Sequence, residues 1–165
     1  MKKHLTKALE TCYRTLKESL PAPSLGFQTV SILVPTYNRA GHLRHAIEMI
    51  LAQDFQDFEI LISDDASSDT TPDVVGSFRD ERLVYSRNAS NLKIPGNLNR
   101  ILAMARGEYV VILHDHDSFH RSLLSKMVRT LDADPGIALV FSAVAWTDYL
   151  GGGYREFISE FPERL

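Results

Sequence analysis

The chain has 165 residues, a net charge of −3 and one cysteine, Cys12. This length suits one compact domain with a sizeable core. A single cysteine excludes a disulfide framework and favours a reducing compartment. Lysine and arginine residues do not cluster as they do on nucleic-acid-binding surfaces, so we expect no nucleic-acid partner.

Residues 1–24 are predicted to form an amphipathic helix followed by a linker. Between residues 4 and 20 the apolar residues recur at the spacing of one helix face, and prolines then interrupt the pattern. We expect this helix to pack on the domain or on a partner protein. Peripheral contact with a membrane is the alternative, which Glu10 and Glu18 disfavour because they interrupt the basic face.

No apolar stretch is long enough to span a bilayer and no signal-peptide core is present, so we expect a cytoplasmic protein, with any membrane contact on the cytoplasmic face.

Residues 25–150 alternate between short apolar runs and segments of helical period. The predicted strands are Val30–Val34, Phe58–Ile62, Leu83–Tyr85, Glu108–Leu113 and Ile137–Val144. The predicted helices are 41–53, Pro72–Phe78, Pro95–Ala105 and 121–132. Gly107 is predicted to cap the third helix. This alternation predicts an α/β domain with a mostly parallel, doubly wound sheet in three α/β/α layers, whose strands are apolar on both faces. Residues 151–165 are predicted to be a tail.

Polar and acidic residues follow three of the predicted strands, at the sheet edge where open α/β folds bind ligands. These residues are Pro35, Thr36, Tyr37 and Asn38 after the first strand, Asp64 and Asp65 after the second, and His114, Asp115, His116 and Asp117 after the fourth. Like charges placed close together repel, and a cation or hydrogen-bond donors usually compensate them. We therefore expect a ligand-binding site at this edge.

Asp115 and Asp117 form an Asp-x-Asp element, which is typical of sites that hold a hard divalent ion together with phosphate oxygens. The intervening His116 adds an imidazole, which favours Mn²⁺ over Mg²⁺. The alternative is that the two carboxylates cap the helix that begins near His120.

The side chains of Asp64 and Asp65 are candidates to accept hydrogen bonds from a base or a ribose. Helix capping is again the alternative, since Ser68 or Asp69 can cap the helix entered at Pro72. Capping accounts less well for Asp64 and Asp65, because these two residues sit directly at the end of the strand.

Several of these segments resemble the family-2 glycosyltransferases, which have a GT-A fold. The resembling segments are Val30–Asn38, Gln53–Ile60, Asp64–Asp69, Asn91–Arg100, Arg106–Tyr109 and His114–Asp117. Asp64–Asp69 is similar to the family's Asp-Asp-x-Ser-x-Asp signature, and the other segments follow in the family's order and spacing. The resemblance covers about residues 29–150.

The resemblance implies a site for a nucleotide-diphospho-sugar, with uridine favoured as the nucleoside. Pro35, Thr36 and Tyr37 would line the base, and Asp65 would accept the ring N–H of the base with Asp64 alongside. The loop from His114 to Asp117 would hold Mn²⁺ or Mg²⁺ on the diphosphate. The implied reaction is inverting transfer of the sugar to a hydroxyl of a saccharide or a lipid-linked acceptor.

The sequence departs from the family's pattern at two places. His116 stands where the family usually has a metal-binding carboxylate. Nothing after Tyr149 resembles the later region that supplies the acceptor site and the general base, so we expect the GT-A fold to be truncated on its C-terminal side and assign no catalytic residue. A non-catalytic module that binds sugar nucleotides is the alternative function.

Two other acidic α/β classes fit the sequence less well. A phosphoacceptor receiver domain places its acidic pair after the first strand, and a nucleotidyltransferase carries a glycine-rich phosphate loop there. The first strand of this chain ends instead in Pro-Thr-Tyr-Asn.

Overall fold

The computed structural model describes residues 28–142. The predicted N-terminal helix and linker and the predicted tail lie outside these residues. None of the helices between residues 28 and 142 has the length and apolar content needed to cross a membrane.

Four strands alternate with four helices in the described part of the chain. The strands are β1 (Val30–Thr36), β2 (Phe58–Asp64), β3 (Leu83–Arg87) and β4 (Tyr109–Ile112). The helices are α1 (Ala40–Leu51), α2 (Thr71–Gly76), α3 (Lys93–Leu102) and α4 (Leu123–Ala133). All strand pairs are parallel, and the sheet order is β3-β2-β1-β4. The predicted α/β class with a parallel sheet and flanking helices is therefore confirmed.

The main core lies on one face of the sheet and involves α1, α2 and α4. Its strand residues alternate along the chain, as a pleated strand requires, and include Val30, Ile32 and Val34 of β1. A smaller core lies on the other face, where Leu33 and Leu61 pack against Ile101 of α3. Helices on both faces of one sheet make three layers.

The prediction that the strands are buried on both faces holds for β1 and β2 but not for the edge strands. Val84 of β3 and Val110 and Ile112 of β4 are 41%, 46% and 43% exposed. Their register partners place them on the face that carries Leu33 and Leu61. Among the described helices only α3 packs on that face, so its edges remain uncovered.

Gly107 does not cap α3, which ends five residues earlier at Leu102. It lies instead against β1, where a Cβ atom would be 2.5 Å from the backbone nitrogen of Ser31. Glycine is therefore required by close packing of two backbone segments.

The predicted fifth strand is wrong over residues 137–142, which form no strand. Leu139 and Phe141 of this segment are 76% and 60% exposed. The remaining two residues of that prediction, 143 and 144, lie outside the described residues.

Candidate functional site

The carboxyl ends of all four parallel strands lie at one edge of the sheet, as predicted. The chain steps outward from β1 to β2 and β3 and then crosses back to place β4 on the other side of β1. Ligands bind at such topological switch points in open α/β sheets. The hydroxyl of Thr36, at the end of β1, donates a 2.7 Å hydrogen bond to Asp115 Oδ2 after β4, and both side chains are buried.

Asp64 and Asp65, which we call the β2 carboxylate pair, are 0% and 4% exposed. Asp64 Oδ2 accepts a 2.6 Å hydrogen bond from the Tyr85 hydroxyl, and Oδ1 accepts one of 2.8 Å from the Ser67 backbone N–H. The Arg87 guanidinium lies 3.5 Å from Oδ2. Burial, and then the hydrogen bond to the carboxylate, raise the pKa of Tyr85 far above its usual range. Tyr85 therefore remains a donor to Asp64 at any working pH.

Asp65 is held through one oxygen. Its Oδ1 accepts hydrogen bonds from Asn88 Nδ2 at 2.8 Å and from the Leu92 backbone N–H at 2.7 Å. The following residue, Ala66, has a φ of 64°, a left-handed conformation that is uncommon for residues with a side chain. The turn thus begins immediately at the end of β2.

The loop after β1 is tied to the loop after β2 by Asn38. Its backbone N–H donates to Ser67 Oγ at 2.9 Å, and its Oδ1 accepts from the Ser68 backbone N–H at 2.7 Å. Asn38 has a φ of 51°, which asparagine tolerates better than most residues. The preceding Tyr37 is 47% exposed beside this junction, whereas Pro35 is partly buried.

Asp69 joins two helix N-termini. One carboxylate oxygen accepts a 3.0 Å hydrogen bond from the N–H of Ala40, the first residue of α1, and the other accepts from the N–H of Thr71, the first residue of α2, also at 3.0 Å. Desolvation raises the pKa of Asp69, but hydrogen bonds from Thr71 and Ala40 together bring it below the ordinary value of 3.8. The predicted capping by Asp69 is therefore observed, whereas the Ser68 side chain contacts Asn38 instead.

The segment His114–Asp117, which we call the β4 acidic loop, combines one buried carboxylate with exposed side chains. Besides Thr36, Asp115 contacts His116 Nδ1 at 3.0 Å and the Arg39 guanidinium at 3.7 Å. His116 and Asp117 are 47% and 49% exposed, and His116 Nε2 lies 3.9 Å from Asp117 Oδ1. The capping alternative is not observed for Asp115, because α4 begins at Leu123 and the carboxylate faces Thr36.

The profile of the family described as glycosyl transferase family 2 matches residues 31–157, well over half of the chain. The chain belongs to glycosyl transferase family 2. The family resemblance inferred from the sequence motifs is thus confirmed.

Curated relatives of this family-2 chain include two bacterial glucosyltransferases. The GalNAc(5)-diNAcBac-PP-undecaprenol beta-1,3-glucosyltransferase of Campylobacter jejuni is 42% identical over 68% of this chain and 37% of the relative. The UDP-Glc:alpha-D-GlcNAc-diphosphoundecaprenol beta-1,3-glucosyltransferase WfaP of Escherichia coli is 27% identical over 65% of this chain and 43% of the relative. The chain thus matches less than half the length of either enzyme.

Solved structures of other glycosyltransferases share the fold. S. aureus TarS 1–349 in complex with UDP-GlcNAc superposes with a TM-score of 0.61 and 29% identity, covering 64% of this chain and 31% of TarS. The mannosyltransferase PcManGT of Pyrobaculum calidifontis, in complex with GDP-Man and Mn²⁺, gives 0.62 and 28%, covering 82% of this chain and 42% of that enzyme. These structures confirm the GT-A-like α/β fold of the described region.

The family and the Mn²⁺-bound neighbour point to a divalent metal, and the β4 acidic loop fits one only as a partial ligand set. Asp117 and His116 are accessible, and Asp115 lies beside them. Within residues 28–142, no group of three or more His, Cys, Asp or Glu side chains converges on one point. Hard divalent ions commonly complete such sets with phosphate oxygens and water.

Four side chains of the site region escaped the sequence analysis, namely Tyr85, Arg87, Asn88 and Asn97. Tyr85 lies 21 residues from Asp64, Asn88 lies 23 from Asp65, and Asn97 lies 34 from Ser63. Asn97 falls within the resembling segment Asn91–Arg100, but isolated polar side chains carry no motif of their own, so none of the four was singled out. Only the pairing of β2 with β3 and the packing of α3 bring them to the β2 carboxylate pair.

Proposed function

We propose that this chain is the donor-binding part of a glycosyltransferase that uses a nucleotide-diphospho-sugar, with a UDP-sugar as the favoured donor. One observation carries the proposal: the β2 carboxylate pair and the β4 acidic loop end on the same sheet edge, on either side of β1. A base acceptor and a diphosphate site on either side of β1 suit a ligand that lies across the switch point of the sheet.

The proposed donor lies across this edge with its base at β2. Asp65 accepts the ring N–H of the base through Oδ2, to which no residue between 28 and 142 donates a hydrogen bond. Asp64 supports the turn beside it, and the segment Pro35–Asn38 lines the base. Tyr37, at 47% exposure, offers an aromatic surface there.

The diphosphate then lies over the β4 acidic loop. Asp117 and His116 would hold Mn²⁺ or Mg²⁺ with Asp115 alongside, and the ion, when bound, neutralises charge on the departing diphosphate. Arg39 already lies 3.7 Å from Asp115 and offsets part of its charge. Asp115 in turn joins this loop to β1 through Thr36.

The proposed reaction is an in-line displacement with inversion. An acceptor hydroxyl forms a bond to the anomeric carbon while the bond from that carbon to the diphosphate oxygen breaks, and the hydroxyl proton passes to a general base. That base and the acceptor site are assigned to no residue of this chain. A saccharide or a lipid-linked acceptor is favoured, because the two bacterial relatives act on diphosphoundecaprenol-linked saccharides. Such acceptors agree with the expected location at the cytoplasmic face of a membrane, contacted through residues 1–20.

The second candidate is a module that binds the sugar nucleotide without turnover. It is the alternative because no residue between 28 and 142 is assigned as the general base or to an acceptor site.

Calorimetric titration with UDP, with and without Mn²⁺, tests the donor site, and incubation with UDP-sugars and a lipid-linked saccharide tests transfer. Binding with release of UDP supports the enzyme. Binding without turnover of any donor supports the module. If no nucleoside diphosphate binds in either condition, the proposed function is wrong.

A further inference from the structure

A buried chain of side-chain amides leads from α3 to Asp65. Asn88 and Asn97 are 4% and 3% exposed. Asn88 Nδ2 donates to Asp65 Oδ1 at 2.8 Å and to Asn97 Oδ1 at 3.0 Å. Asn97 Nδ2 donates to the backbone carbonyl of Ser63 at 3.0 Å, and the Ser63 hydroxyl donates to Asn97 Oδ1 at 2.5 Å.

The chain of hydrogen bonds has one direction. The Ser63 carbonyl only accepts, so it fixes Nδ2 of Asn97 toward β2 and leaves Oδ1 of Asn97 as an acceptor. That acceptor fixes the amide of Asn88 with Nδ2 toward Asp65. A flipped Asn88 would place its oxygen against the oxygens of both Asn97 and Asp65, without a hydrogen between them.

Asn88 Oδ1 is buried and has no hydrogen-bond partner among residues 28–142. An unpartnered buried polar atom costs free energy that an apolar side chain of the same shape would avoid. An amide retained only to fill space would not carry this cost. We attribute the retention of this amide to its other end, because Nδ2 donates a hydrogen bond to Asp65.

We infer that Asn88 is the positioning residue for Asp65, with Asn97 holding Asn88, and that these amides make the site selective among bases. Two donors on Oδ1, from Asn88 and from Leu92, leave Oδ2 to the ligand. A fixed carboxylate oxygen accepts from the ring N–H of uracil or guanine. It repels the ring nitrogen that cytosine or adenine presents at the same place, which is itself an acceptor. The inference rests on the proposed function, because it assigns Asp65 to the base.

Selectivity between UDP and CDP is the measurement that isolates this role, because the two ligands share their ribose and diphosphate. Calorimetry is expected to show that the wild-type chain binds UDP at least about tenfold more tightly than CDP. Cytosine presents an acceptor to Asp65, so it cannot form the hydrogen bond that the ring N–H of uracil donates to this carboxylate. Asn88→Leu, which keeps the volume, should bring this ratio close to one mainly by weakening UDP. Asn99→Ala, which removes an exposed amide on α3, the helix that carries Asn97, is the matched control and should keep the ratio.

Asn88→Asp adds a readout that a loss of folding does not produce. The new carboxyl repels Asp65 when ionised but donates to Asp65 Oδ1 when protonated. UDP affinity of this variant relative to wild type should therefore rise as the pH falls from 8 to 5, because ionisation of the terminal phosphate of UDP affects both proteins alike. Melting temperatures confirm that each variant is folded.

Three outcomes would each overturn the inference: a wild-type ratio near one, an unchanged ratio in folded Asn88→Leu, or an affinity of Asn88→Asp relative to wild type that does not change with pH. Failure of wild type to bind any nucleoside diphosphate is a different result, which overturns the proposed function itself. If Asn88→Leu does not fold, the wild-type ratio and the pH profile of Asn88→Asp decide the question.

Discussion

The β2 carboxylate pair and the β4 acidic loop lie at the same sheet edge, yet the protein holds them differently. Asp64 and Asp65 are 0% and 4% exposed, whereas His116 and Asp117 expose close to half of their side chains. The β2 carboxylate pair receives hydrogen bonds from β3, from its own turn and from the loop before α3. In the described part of the chain, Asp115 joins the β4 acidic loop to Thr36 and Arg39.

This difference agrees with the proposed roles of the β2 carboxylate pair as a rigid base site and of the β4 acidic loop as an adaptable diphosphate site. A base is read by a hydrogen bond of fixed direction, so its acceptor gains from being fixed before the ligand arrives. A metal ion and a diphosphate bring their own charges, and they can complete a partial ligand set as they bind. We therefore expect substitutions at β2 to affect folding and base binding, and substitutions at β4 to affect the metal dependence.

The largest expected effect is on folding, from Asp64→Ala. Loss of this fully buried carboxylate leaves the Tyr85 hydroxyl and the Ser67 backbone N–H without their acceptor, and each buried donor left unsatisfied costs about 1–3 kcal/mol. Chemical denaturation should show a fall of this size in the free energy of unfolding. Asp117→Ala, at 49% side-chain exposure, is the matched control and should change it by less than about 0.5 kcal/mol. If both variants lose the same free energy of unfolding, the proposed difference between the β2 carboxylate pair and the β4 acidic loop is wrong.

The second effect is on donor binding, from Asp65→Ala. A hydrogen bond to a charged acceptor contributes about 1.5–3 kcal/mol, so UDP affinity should fall by about ten- to a hundredfold. Calorimetry measures the loss directly. Asp54→Ala removes an exposed carboxylate before β2 and should leave UDP affinity unchanged. An affinity equal to that of wild type in Asp65→Ala would show that Asp65 does not bind the base.

The third effect is on metal dependence, from the double variant Asp115→Ala with Asp117→Ala. Because these are the two carboxylates of the β4 acidic loop, Mn²⁺ should no longer increase UDP affinity, while the metal-independent part of binding remains. Titrations in Mn²⁺ and in a chelator give both values. Asp117→Ala alone should lower the Mn²⁺ effect without the loss of the Thr36 contact. Wild-type Mn²⁺ dependence in the double variant would exclude the β4 acidic loop as the metal site.

The smallest effect is a pH-dependent change in stability from Asp69→Ala. Removal of a helix cap costs about 1 kcal/mol at pH 7. The folded-state pKa of Asp69 lies below 3.8, so its contribution is present above that pH and is lost as the pH falls through the lower, folded-state value. Denaturation curves of wild type and variant should therefore converge in acid below pH 3.8. A difference that stays constant into this range would argue against an ionised cap.

The sequence by itself determined the fold class and predicted the acidic residues of the candidate site. Apolar runs of strand length alternate with helical periods, and this pattern predicts parallel strands whose ends meet at one edge. The motifs at those ends are short and contiguous, so one sequence contains them complete. For the same reason Asp64, Asp65 and the His114–Asp117 loop were identified without coordinates.

The tertiary structure decided which of these residues are buried and which distant residues donate hydrogen bonds to them. Asn88 and Asn97 reach Asp65 only because α3 packs at the end of β2, and Thr36 meets Asp115 only across 79 residues of chain. Gly107 was predicted to cap a helix, whereas in the structure its backbone packs against β1. The apolar run at 137–142 predicted a strand but forms none, and Leu139 and Phe141 within it are exposed. The spacing of apolar residues shows which face of one helix or strand must be buried. Contacts between distant segments depend instead on how all the helices and strands pack together.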